Sequence, residues 1–298
     1  MRISDRFIDN GVTGGFFLAG QFILLALWGL TGWVNPLIHL NVSSTLQPTV
    51  NALLVALGII SIFFFGLLLD LLATGFSPFI DEEIISMKSH LDHNQDWLVD
   101  IEKEDSYFKN GCDNFKAAYG SPFRAKMYNR NLYIRLFHHL WMHLWMKLRH
   151  GSMQSDTAFQ EEEKLIVNYY RLRYFFNSYV LLNSGLSQLD TLTDQVHWWR
   201  ASRAICIATV VWAFEPLFVL LIWLAEAVFI RQWLPDLTTV VHFIISWPIL
   251  FLLTFLTFSI ANTAFARMCS TLFSLTRVTY VKKKSDHSSS ELQNRNTQ

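Results

Sequence analysis

The sequence predicts an all-α integral membrane protein with four transmembrane helices in two hairpins and a helical cytoplasmic domain inserted between spans two and three. Three observations carry this. The chain of 298 residues is 52% apolar but only 16% charged, against roughly 25% charged in soluble domains. The apolar residues collect in four long blocks, with the charges between and after them. Strand signals are nearly absent.

A bilayer core about 30 Å thick needs roughly 20 apolar helical residues, and its backbone groups must pair within the segment. Residues 11–34 and 51–76 form the first hairpin, and residues 204–230 and 239–263 the second. An N-terminal arm, 1–10, precedes them. The tail, 264–298, is basic and then polar, with an expected disordered end. The start resembles a signal peptide, but the first apolar stretch is too long for an h-region and no small-residue cleavage site follows.

Orientation follows from Lys and Arg. Arg2 and Arg6 precede the first span, and the loop between spans one and two has neither residue type. The turn between spans three and four has only Arg231, whereas six basic residues follow span four. The fifteen between spans two and three count for less, because long loops obey the rule weakly. Both termini are therefore expected inside, and compact loops suggest a bacterial inner membrane. Trp28, Trp33, Trp198, Trp199 and Trp233 near the span ends fit an aromatic belt.

The insert, 78–203, reads as helices. An acidic segment from Asp81 to Asp105 has Ile, Leu and Trp at helical spacing. Ser121-Pro122 opens a helix reaching His150. A third helix starts at a capping box, Thr157 with Gln160, and ends near Asn183. A fourth, around 190–203, feeds span three. Stretches 131–148 and 164–184 are apolar enough to be mistaken for spans. Arg135, Lys147, Arg171 and Arg173 oppose that, since a central charge costs roughly 2.5–3.5 kcal/mol. These two helices form the insert's core, pack on other subunits or lie along the membrane surface.

Residues with chemistry are few. Glu215 lies eleven residues into span three, close to mid-membrane, and Glu226 follows eleven residues later on the same face. Carboxyls inside a span mark a bundle interior or a water path. Pro216, beside Glu215, and Pro248 in span four are expected to kink their helices. Gln21 in span one and Ser61 in span two fall at a depth like that of Glu215, and could line the same interior. An interhelical clasp is the competing role for Glu215. Asp70 belongs at the headgroup level or in a paired position. Arg171, Arg173, Arg200 and Arg203 form a basic set suited to lipid headgroups or an anionic ligand.

His139 and His143, four apart, could hold a metal, but no third ligand is marked and packing is the default reading. Cys112, Cys206 and Cys269 are scattered, which implies no disulfide framework. Zero formal net charge gives no field for nucleic acid. Phosphate-loop, nucleophile-elbow and dinucleotide motifs are missing, so neither an enzyme nor a cofactor is expected. The expected partners are the lipid bilayer, further copies of the chain, and a cytosolic protein bound through 78–203. The leading expectation is a homo-oligomeric, channel-like assembly formed or gated by the insert. The alternative is a non-conducting scaffold or accessory subunit.

Overall fold

The computed structural model describes residues 3–30, 47–74, 77–93, 95–120, 157–183, 185–225 and 237–296. These form α1 (Ile3–Leu27), α2 (Gln47–Thr74), α3 (Ser77–His93), α4 (Gln95–Glu104), α5 (Ser106–Tyr119), α6 (Thr157–Asn183), α7 (Leu186–Ala225) and α8 (Leu237–Asn296). No strand occurs among the described residues. Four helices are long and apolar enough to cross a membrane: α1 from Ile8, α2, α7 over Gln188–Ala225 and α8 over Leu237–Asp286. Apart from Trp28, Gly29 and Leu30, they contain the described parts of the four apolar blocks. Helices α7 and α8 continue through Pro216 and Pro248.

The chain divides into two compact units. The first comprises Met1–Gly75 and His197–Ala264. Its α1 and α2 cross on glycines. A Cβ built on Gly14 would lie 1.7 Å from the Ile62 carbonyl oxygen, and one on Gly66 would lie 1.8 Å from that of Asn10. Only hydrogen fits at either point, so the backbones touch, the device by which small residues join helices in lipid. Gly66→Ala is therefore expected to lower stability by about 1–3 kcal/mol through overpacking, read as an earlier unfolding midpoint in detergent. An unchanged midpoint would mean that the crossing is looser than described.

Hydroxyl and indole groups join α7 to α8. The Thr254 hydroxyl donates to the Thr209 carbonyl at 3.0 Å, and the Thr209 and Thr257 hydroxyls pair at 2.8 Å. Trp247 Nε1 donates to the Ala213 carbonyl at 3.0 Å, three residues before Pro216. Where the sequence suggested an aromatic belt, two tryptophans turn inward. Trp28 is 2% exposed and donates to Ser246 Oγ at 2.9 Å, while Trp199 is buried beneath Arg203. The outer faces stay apolar: Val55, Ile60, Leu67 and Leu71 on α2 are all exposed.

The second unit comprises Phe76–Val196 and Phe265–Gln298. The acidic segment 81–105 forms two helices, α3 and α4, ended by Asp105. The Asp105 side chain instead caps α5, accepting from the Tyr107 and Phe108 amides at 2.9 and 3.1 Å. Helix α6 ends at Asn183, as its sequence suggests. The segment read as a tail is the C-terminal part of α8, with Met268, Leu272, Phe273 and Tyr280 buried at helical spacing. Phe273 sits against Phe176, His90 and Trp97.

Arg173, part-buried, borders this core. Tyr169 donates to Glu83 Oε2 at 2.5 Å, and the Arg173 guanidinium lies 3.4 Å from the same oxygen and 3.2 Å from the Tyr169 hydroxyl. Burial, and then the adjoining Glu83 charge, raise the Tyr169 phenol well above its usual range and keep it a donor. Glu83 is 2% exposed, so removing its cation leaves a buried charge. Arg173→Met is expected to cost about 3–5 kcal/mol and Tyr169→Phe about 1–3 kcal/mol. Thermal unfolding of the full chain orders the two, and equal effects would contradict the arrangement.

Candidate functional site: the polar interior of the first unit

Helices built for lipid place few polar groups inside a bundle, and those few fall at two levels in the first unit. The inner level joins α1 to α7. The Gln21 carboxamide donates to Glu215 Oε1 across the two helices. Trp212 lies beside them, stacked against Phe17 at 6.2 Å and tilted against Phe16 at 5.1 Å. Gly20 makes room for that indole, since a Cβ there would fall 2.1 Å from the ring. Glu215 itself is half-buried, so part of the residue reaches the surface of a single chain.

The second level lies at the N-terminal end of α1, the C-terminal end of α2 and the middle of α7. Arg200 donates to Asp70 Oδ2 at 2.6 Å. His197 Nδ1 lies 2.5 Å from Asp9 Oδ2. Arg203 donates to the Thr74 hydroxyl at 3.3 Å, its guanidinium 4.4 Å above the Trp199 ring. Side-chain exposure in the two acid pairs is only 16–21%. A cavity of about 10 Å3 opens among Asp9, Asn10, Thr13, Asp70 and Arg200, enough for one water. His197, Arg200 and Arg203 follow at three-residue steps, so successive basic side chains share one side of α7. Each meets α1 or α2, and the polar contacts tie the three helices together.

The structure thus brings together Gln21 with Glu215, and Asp70 with Arg200. It does not bring Ser61 to them: that hydroxyl is half-buried on α2 with no polar partner among the described residues. Arg171 is exposed in the second unit. Glu226, His139 and His143 lie outside the described residues. Among those described, no group of three His, Cys, Asp or Glu side chains could hold a metal ion. All three cysteines are buried free thiols, and burial first of all pushes Cys112 up to about 12. Asp9 and His197 were not singled out from sequence. The available signal was a lone carboxylate at each of two span ends opposite a basic run on a third.

No family model matches this chain, and comparison with curated proteins and with solved structures gives no match.

Proposed function

We propose that the chain is a multi-pass membrane protein that self-associates into an ion-permeable assembly. In this reading its spans form two hairpins, 78–203 is a cytoplasmic domain that assembles or gates them, and both termini lie inside a bacterial inner membrane. Opposed contacts support the hairpins, since Gly14 meets Ile62 while Gly66 meets Asn10. The carrying observation is Glu215. It is half-buried on a membrane-crossing helix, and its carboxyl accepts from Gln21. Facing lipid, a charge at that depth costs at least ~2.5–3.5 kcal/mol. A second copy or a file of water relieves this. A ring of copies supplies both, with Glu215 carboxyls attracting cations.

The Gln21–Glu215 bond also favours a second reading, in which the pair is only a clasp within a non-conducting scaffold whose insert recruits a cytosolic protein. Reconstitution separates the two. The channel reading expects several copies per particle in mild detergent and cation flux above that of empty liposomes. A monomeric particle, or no flux across a wide range of pH, voltage and salt, refutes it.

A further inference from the structure

Helices α5 and α6 of the second unit leave a groove of about 170 Å3 along their contact. Its floor is apolar: Phe108 is buried, with its ring stacked 4.4 Å from that of Phe175. Its walls are polar, with Asn110 and Asn114 from α5 and Asn168 and Arg171 from α6. Spacings of four and three residues put each pair on one helix face. Among the described residues, none of these four side chains makes a hydrogen bond or an ion pair, and no carboxylate lines the groove. No described residue therefore occupies their donors and acceptors.

We propose that this groove binds a small oxyanion, a carboxylate or a phosphate, carried on a planar apolar body. A guanidinium presents its N–H groups as a fork that matches two oxygens of such an anion. Three carboxamides add donors toward the anion and acceptors for any hydroxyl beside it. The stacked phenylalanines supply a surface for a flat ring. Size limits the choice further. Pockets for drug-sized ligands run to roughly 300–1,000 Å3, so this one suits a single ring with its anionic group. A soluble aryl anion and the net-anionic headgroup of an acidic lipid share the oxyanion chemistry, and the experiment distinguishes them.

The full-length protein is placed in nanodiscs of phosphatidylcholine and titrated with benzoate and with phenyl phosphate, followed by saturation-transfer NMR. Saturable binding of at least one probe is expected, weakened about tenfold or more in Arg171→Gln. Arg277→Gln, which alters an exposed arginine of the same unit, should leave it unchanged. Arg171 has no partner among the described residues, so its variant should keep the wild-type unfolding temperature. Equal affinity in Arg171→Gln and wild type, or no saturable binding of either probe, overturns the proposal. Nanodiscs containing phosphatidylserine then identify the source: displaced probes assign the groove to a headgroup, and retained probes assign it to a soluble anion.

Discussion

Glu215→Gln is expected to reduce cation flux through the reconstituted protein by about tenfold while leaving its assembly intact. Glutamine has nearly the shape of glutamate and keeps an oxygen that can accept from Gln21, so the contact between α1 and α7 survives. What disappears is the negative charge. If the carboxyl faces a water path, that charge raises the local cation concentration in a low-dielectric surround, where its attraction is strong. Glu215→Leu removes the acceptor as well and leaves the half-buried Gln21 carboxamide without its partner. A further loss of stability of about 1–2 kcal/mol follows from that orphaned group. The two variants therefore separate the readings. Flux lost in both with assembly lost only in Glu215→Leu supports a charged path. Wild-type flux in Glu215→Gln would leave the residue as a clasp alone.

The second large effect belongs to Arg200 and Asp70. Removing either partner leaves an uncompensated charge among α1, α2 and α7, with side-chain exposures of 21% and 17%. Arg200→Gln and Asp70→Asn leave different groups behind. The first strands a carboxylate and should lower stability by about 3 kcal/mol, near the lower end for a broken buried pair because some exposure remains. The second leaves the arginine without that carboxylate, beside a small cavity with room for one water, and loses less. The double variant strands neither and should be more stable than Arg200→Gln alone. Detergent unfolding of all three gives the coupling directly, and strictly additive losses would show that the pair is not a coupled unit.

Why some of this was legible and some was not follows from what lipid constrains. A span must be long and apolar whatever its neighbours, so four blocks mark four crossing-competent helices. A carboxylate within such a block is expensive wherever it points, so Glu215 stands out by itself. Depth counting found its partner Gln21, but equally proposed Ser61, which the structure leaves apart. Depth fixes a residue's height but not its direction around the helix axis. That direction comes from packing, here from Gly14 and Gly66.

Arg171 and Arg173 carry the same lesson. Two helical positions differ by about 200°, so one faces the groove and the other the core, although sequence proximity had grouped them. Asp9 and His197 pair only because the N-terminal end of α1 adjoins the middle of α7, a long-range fact that charge placement used for topology does not reveal. Helix α5 was readable in principle. Phe108, Cys112 and Phe115 keep helical spacing, but Gly111 and two asparagines weaken the local preference and hid it.

The glycine crossing of α1 and α2 also bears on how this chain can diverge. Where backbone meets backbone, no compensating change elsewhere can make room for a methyl group, because there is no side chain opposite to shorten. Gly14 and Gly66 should therefore admit almost no replacement in a saturation library scored for folded protein. The exposed positions of α2, such as Val55, Ile60 and Leu67, should exchange freely among apolar residues. Tolerance along this helix would then vary by facing direction, and two small residues would hold the first pair of helices to one geometry while most of their surface drifts.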